Sequence, residues 1–408
     1  MTLYGLRNAL IPTVALIFSP TCFSDAVLDW NEVALAQVIA ARQSPPDGAR
    51  TMAMVHVAMF EAVNAIDRRY APYAFKDRAP ANTSAEAAAG AAARTVLARL
   101  FPDQRQQVET AYVASLAHVP EGNSKAAGIA LGERAGTECL SMRTEDGTGA
   151  PNTYKPWTAP GTYVPTTLPA STEWPRLKPW FIRDGTRFRP GPPPALTSAV
   201  WARDYDEIKS VGAGRSTTRT PAQTETARFW TIVGPVSWNP VVRSLAASRP
   251  SRLVDNARLF ALANMAAVDA FIAVFDAKYT YNFWRPITAI RNGDLDGNEA
   301  TVADTGWVPL VDTPMHPEYP CAHCIAAGAL GEVLEAEFGK GDVAQISMTS
   351  ATAPGVTHSW TRIGDYVTEV NNARVWGGLH YRNSTQVGEA MGRRIGGLAV
   401  KEVLTPMK

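Results

Sequence analysis

The sequence predicts an all-α protein: helical bundles interrupted by one long irregular segment. Three observations carry that prediction. Apolar residues recur at helical spacing through most of the chain, helix-start signals precede those runs, and no convincing alternating strand or repeat of fixed period is found. With 408 residues, 46% of them hydrophobic, the chain can bury one sizeable core or two smaller ones. A net charge of +1 gives no general attraction to nucleic acid or an anionic membrane, so any anion site has to be local.

Residues 1–24 read as a secretory signal peptide. Arg7 precedes a mostly apolar run over 9–18, then comes a short stretch around Cys22 and Ser24, with cleavage before Asp25 or Val27. The run is far below the roughly 20 apolar residues that a span requires, and Ser-Pro-Thr before Cys22 is a poor lipobox. The mature chain is therefore expected to be exported, either periplasmic or secreted. It keeps Cys139, Cys321 and Cys324, an odd number that implies no disulfide framework.

Residues 25–408 are expected to form one all-α catalytic domain, with a helical part over 25–144, a connection over 145–195 and a second helical part over 196–408. Val27, Trp30, Ala34 and Val38, then Val55, Met59, Ala62 and Ile66, mark two amphipathic helices with Ser-Pro-Pro-Asp-Gly as the turn between them. Thr83 with Glu86 and Asp103 with Gln106 are capping-box starts of two Ala- and Leu-rich helices, and another helix covers 126–142. Over 145–195 Pro, Gly, Thr and aromatic residues dominate without a period. Trp157, Trp174 and Trp180 argue for an ordered loop, one that walls a pocket or covers a second subunit of a homo-oligomer. Helices resume at Ser198, and Thr220-Pro221 with Gln223 starts another. Residues 259–275 are almost continuously apolar, but they are short for a membrane span and carry Asn264 and Asp269, so they read as the central helix of a bundle. No integral membrane span and no nucleic-acid partner are expected.

Three short clusters carry the chemistry: Lys278 with Arg285 in KYTYNFWRP, His323 in HPEYPCAHC, and Arg374 with His380 in RVWGGLHYR. A tetrahedral oxyanion such as phosphate or vanadate requires fixed cations, inward N–H donors and, if it reacts, an imidazole. Lys278 falls at the end of the buried helix and Arg285-Pro286 at the start of the next turn, so two cations converge in an apolar neighbourhood. Ile325, Ala329, Val333 and Phe338 trace an apolar helix face after Pro320, which puts His323 at a helix N-terminus, where free N–H groups favour an anion. Arg374 lies on the last turn of a helix marked by Ile363, Val367 and Val370. Gly377-Gly378 end that helix, His380 follows, and Asn383 with Gln386 caps the terminal helix. Singly, each cluster reads better as surface cations or as a capping or packing histidine; their agreement gives the site its weight.

Lys278, six residues, then Arg285-Pro286; Pro320 with His323; and Arg374, five residues, then His380 resemble a three-part signature. It is shared by vanadium-dependent haloperoxidases, type 2 phosphatidic-acid phosphatases and bacterial acid phosphatases. The helical pattern and secretory start are similar to the exported bacterial haloperoxidase-related branch. The resemblance implies a fold built on four-helix bundles, with Lys278, Arg285 and Arg374 neutralising the oxyanion and Cys321 and Ala322 in its cradle. His380 would bond to vanadium or attack phosphorus, and His323 would be the acid-base. Vanadate is the implied cofactor, and phosphate can occupy the same site. One activity implied is a haloperoxidase using hydrogen peroxide, a halide and a small organic substrate. The other is an acid phosphatase acting on a phosphate ester through phospho-His380. A non-catalytic oxyanion-binding protein is the third reading.

The chain departs from the family's usual Pro-Ser-Gly-His, having Pro320-Cys321-Ala322-His323. The alanine methyl crowds the anion, and a thiol donates weakly and is oxidised by peroxide, which counts against peroxidase turnover. Cys321 and Cys324 also have the spacing of a thiol redox pair, so a redox or disulfide role is open, although such a role leaves the oxyanion pattern unexplained. His316 resembles the histidine near the anion in algal bromoperoxidases, where chloroperoxidases have an aromatic, and points to bromide. Asp294, Asp296 and Asn298 read as a polar turn, because the glutamate of a calcium loop is missing.

Overall fold

The computed structural model describes residues 25–407, so the expected signal peptide lies outside the described residues. The described residues are mostly helical, as expected, with the long irregular segment falling between two helical parts. Helix α1 (Ala26–Ala40) is capped by Asp25, whose carboxylate accepts from Val27 N and Leu28 N. Helix α2 (Pro45–Asp67) begins earlier than expected: Pro-Pro-Asp-Gly is its first turn, with Ser44 as the cap. Proline fits there because a first-turn N–H has no helical partner to lose. Helix α3 (Ala85–Leu100) is capped by Ser84 rather than Thr83. Helix α4 (Arg105–Leu116) follows a 3₁₀ turn over Pro102–Gln104 in place of the expected Asp103 box. Helix α5 is Asn123–Met142. Then come α6 (Ala199–Val211), α7 (Pro221–Phe229, with the Thr220–Gln223 capping box formed) and α8 (Asn239–Ala247). The series closes with α9 (Leu253–Tyr281), α10 (Pro286–Arg291), α11 (Ala322–Phe338), α12 (Ile363–Trp376) and α13 (Arg382–Glu402). Helix α13 starts at Arg382 with no side-chain cap, so Asn383 is inside it and not its N-cap.

One element was not expected. Strands β1 (Ile346–Ser350) and β2 (Ala353–Trp360) form an antiparallel hairpin, with Ile346 opposite Trp360. Ile346, Met348 and Ser350 face inward, and the polar residues between them face out.

Helix α9 is the spine. Among the described residues it is the one helix long and apolar enough to cross a membrane, and its apolar window is wholly buried inside the protein. It packs between α2 on one side and α11 on the other, and a single apolar cluster runs from Val27 to Leu404 around it. Two helix pairs, α3 with α5 and α11 with α13, approach unusually closely. A Cβ added at Gly132 would meet Ala88 O at 2.2 Å, and one at Gly392 would meet Ile325 O at 2.1 Å. Only glycine permits that approach.

The 145–195 segment is tied to the spine. The Asp269 carboxylate, fully buried in α9, accepts from Trp180 N at 2.7 Å, Phe181 N at 2.9 Å and Ile182 N at 3.0 Å. The Arg143 guanidinium stacks over the Trp180 ring at 3.6 Å. Trp174 and Trp180 are therefore packed side chains, as expected of an ordered loop, whereas Trp157 is exposed.

Candidate oxyanion-binding site

Each cluster is delivered by a helix end. Lys278 is in the last turn of α9 and fully buried; its ammonium donates to Pro317 O and Glu318 O, both at 2.8 Å. Arg285 occupies the N-cap position of α10. Its guanidinium donates to His316 O at 2.9 Å and Leu379 O at 3.0 Å, and lies 3.0 Å from His316 Nδ1 and 3.2 Å from His380 Nε2. Arg285 thus joins the three clusters. Arg374, in the last turn of α12, donates to Trp230 O at 2.6 Å, and its Nε is buried without a partner in the protein. Beyond it Gly378, with φ +79°, turns the chain toward His380 in a conformation that an L side chain rarely adopts.

The hydrogen bonds assign protons. His380 Nδ1 lies 2.7 Å from Glu318 Oε1, while its Nε2 faces Arg285, which can only donate. Nδ1 therefore carries the proton, and the Nε2 lone pair points at the cation cluster. His323, in the first turn of α11, has Nε2 at 3.2 Å from Ile232 O. A carbonyl only accepts, so Nδ1 is the basic nitrogen of His323. His316 Nδ1 accepts from Arg285, leaving the neighbouring Pro317 O to Lys278.

Burial and like charge act together here. Burial, then Arg285, Lys278 and Arg374, holds His380 well below the usual histidine range. His323 is lowered by burial and then Arg374, and His316 by burial and then Lys278. Burial and the Arg285 charge push Lys278 well below the usual amine range. Arg285 falls to about 10 and Arg374 to about 9, chiefly by burial, and both stay charged at neutral pH. Facing these cations is one buried carboxylate, Glu318, raised by burial to about 7. Sequence reasoning missed this residue. The usable signal was that a group of buried cations calls for an internal counter-charge, and Glu318 is the acidic residue of the second cluster.

His316, His323, His380 and Ala322 line one end of a pocket of about 250 Å³. Its walls are mostly apolar and include Trp230, Trp238, Phe271 and Phe275, and the 145–195 segment contributes Ala170 and Ser171. That segment does wall a pocket. Of the two roles open to the cysteine pair, the structure has the disulfide: Cys321 is joined to Cys324 across a Cα–Cα distance of 5.3 Å, which corrects the reading of Cys321 as a thiol donor to the anion. The N-cap and third residues of a helix are neighbours, so the spacing suits a bridge. Cys321 Sγ accepts from Cys324 N and has no S–H to offer an anion. Asp296 accepts from Trp201 Nε1 and Thr301 Oγ1, a polar turn as expected. Among the described residues no His/Cys/Asp/Glu group is arranged to hold a metal cation.

The residues fit an oxyanion. Two guanidinium groups and an ammonium stand against one carboxylate, the buried Nε of Arg374 lacks a partner, and an imidazole lone pair faces the same cluster.

Fold and site together define a helical-bundle protein with a buried tetrahedral-oxyanion site. Residues 258–408 match the family model of the VCPO second helical-bundle domain. A vanadium chloroperoxidase of Curvularia inaequalis is 28% identical over an alignment 185 residues long that covers 38% of this chain and 30% of that protein; the chain spans less than a third of that relative's length. Among solved structures, the first bacterial vanadium-dependent iodoperoxidase superposes with a TM-score of 0.81 at 24% identity, covering 96% of this chain and 100% of that one. An apo-type bacterial vanadium-dependent chloroperoxidase gives 0.68 at 18% identity, covering 88% and 93%. Residues 258–408 are thus similar to the second helical-bundle domain of that family model, and nearly the whole chain shares the fold of the bacterial vanadium-dependent peroxidase structures.

Proposed function

We propose that the chain is a vanadate-dependent haloperoxidase that uses hydrogen peroxide to oxidise a halide, with residues 25–408 acting as one catalytic unit. The observation that carries this reading is the unneutralised cation cluster facing a histidine lone pair at the end of a preformed apolar pocket. Lys278, Arg285 and Arg374 would hold vanadate by charge, the N–H groups at the start of α11 would add donors, and His380 Nε2 would be its protein ligand. Bound vanadate supplies the electrophilic centre at which peroxide is activated toward a halide. An anion in this position raises the pKa of Lys278 and so favours its charged ammonium form. His323 stays neutral beside Arg374, so its Nδ1 is free to take a proton from an incoming acid and to return it. The apolar walls exclude bulk water and strengthen every charge interaction inside. His316, at the position where algal bromoperoxidases have a histidine, favours bromide as the halide. Export to an oxidising compartment belongs to the same reading and is supported by the Cys321–Cys324 disulfide.

The test is bromide- and peroxide-dependent halogenation of a phenolic dye by protein with and without added orthovanadate, beside a phosphate-monoester assay. Vanadate-dependent bromination that is lost in His380→Ala is the expected result. Phosphate release inhibited by vanadate, with no bromination, assigns the site to a phosphatase acting through His380. Silence in both assays, with tight orthovanadate binding, leaves a non-catalytic oxyanion-binding protein.

A further inference from the structure

Glu318, itself in the second cluster, is hydrogen-bonded to both of the others. Its backbone N–H donates to Phe283 O at 2.9 Å, beside Arg285 in the first cluster, and its carbonyl accepts from Lys278 at 2.8 Å. Its carboxylate Oε1 accepts from His380 Nδ1 at 2.7 Å and Tyr381 N at 3.2 Å, in the third cluster. The residue is 0% exposed. Its second oxygen, Oε2, has no partner in the protein, and neither does Tyr381 Oη or Ser384 Oγ. The Ser384 hydroxyl faces the carboxylate but lies outside direct hydrogen-bonding geometry. All three residues line a second cavity of about 10 Å³, separate from the oxyanion pocket and walled by Trp201 and Phe283. That volume is about what one water needs, and one water has the donors and acceptors for three such groups.

We propose that Glu318 is a positioning residue that fixes His380 as the Nδ1–H tautomer, and that one internal water, held by Glu318 Oε2, Tyr381 Oη and Ser384 Oγ, keeps the carboxylate in place. In water the Nε2–H tautomer of imidazole is the commoner one, so a histidine that must present Nε2 to a ligand needs its other nitrogen engaged. Glu318 engages it from the side opposite the pocket. The water completes the carboxylate's coordination, so the group is clamped by a backbone N–H, an imidazole N–H and a bridging water rather than by one bond. The link to anion binding rests on the reading of His380 as the ligand; the tautomer and the water do not.

The experiment uses the full mature chain labelled with ¹⁵N-histidine. The two ring nitrogens of His380 are read by NMR at neutral pH without vanadate, and the affinity for orthovanadate is read by titration calorimetry. The wild type is expected to show a protonated Nδ1 and an unprotonated Nε2. Glu318→Gln, whose amide presents either its oxygen or its NH₂ to the ring, is expected to show mixed tautomers and an orthovanadate affinity 10- to 100-fold lower, the usual range for such supporting partners. Ser384→Ala, a small change that spares the carboxylate, is expected to abolish the long-lived internal water seen by magnetic relaxation dispersion and to lower the affinity several-fold. A wild-type Nε2–H tautomer, or a Glu318→Gln protein with unchanged tautomer and affinity within twofold, overturns the positioning role. Relaxation dispersion unchanged by Ser384→Ala overturns the water site. If the wild type binds no orthovanadate, the oxyanion reading fails while the tautomer result still decides the role of Glu318.

Discussion

The glycine seam between α11 and α13 sets up a matched pair of substitutions. In Gly392→Ala the new methyl carbon would lie 2.1 Å from Ile325 O and 2.7 Å from Ala329 N, both backbone atoms that cannot rotate away. Comfortable carbon–oxygen contact begins near 3.3 Å, so the helices must part by roughly 1 Å. Overpacking of this kind costs ~3 kcal/mol at the upper end of its usual range, offset by ~1 kcal/mol of improved helix propensity. The expected net loss is about 2 kcal/mol. Gly397→Ala, one turn further along α13, meets nothing nearer than Glu332 Cγ at 3.8 Å and should gain up to ~1 kcal/mol from propensity alone. The two variants should therefore differ by about 3 kcal/mol, read as the separation of their urea midpoints at constant slope. His323 stands at the start of α11 and His380 just before α13, so the same displacement should weaken orthovanadate binding in Gly392→Ala and leave Gly397→Ala unaffected. Equal stability of the two variants, or a Gly392→Ala protein with wild-type affinity, would refute the reasoning.

Three further outcomes are expected. Arg374→Gln removes a charge whose Nε awaits a partner and should lower orthovanadate affinity at least tenfold by calorimetry, while the wild type gains about 2.7 kcal/mol of stability at an orthovanadate concentration 100 times its dissociation constant. The disulfide closes a very short loop, so Cys321→Ser with Cys324→Ser should lose only about 2 kcal/mol, and denatured wild-type protein spanning residues 25–408 should titrate one thiol, Cys139. His56, buried against Phe260, is lowered from 6.5 to about 3 by burial, so the folded state disfavours its protonation. Its contribution is fully present above pH 6.5 and is lost as the pH falls toward 3, about 5 kcal/mol in all. The fall in stability between pH 7 and pH 4 should be several kcal/mol smaller in His56→Phe.

Legibility in the sequence followed the length of the physical signal. Helix α9 was readable because 259–275 holds an apolar pattern over many turns, and Thr220-Pro221 with Gln223 because a capping box is a complete local motif. Asp103 and Asn383 carried only part of such a motif, and neighbouring packing moved the helix starts. The hairpin escaped because β1 alternates over five residues and β2 contains Pro354 and Gly355, which weaken any strand signal. The cations and histidines of the site were legible as spaced clusters. Glu318 was not, since its function arises from contacts with Lys278 and with His380, which is 62 residues away along the chain. Counting cysteines by parity likewise said nothing about which two are neighbours in space.

Helix α9 carries both Asp269, which fastens residues 180–182, and Lys278, which enters the anion site, roughly 14 Å apart along one axis at the helical rise per residue. The pocket wall and the cation are thereby mounted on one stiff rod. Ordering the irregular stretch is completed when the chain folds, so a small anion arriving later meets a surface that loses little further freedom on binding. A ligand of so few atoms has little contact energy to spend on ordering a wall, and here almost none is asked of it.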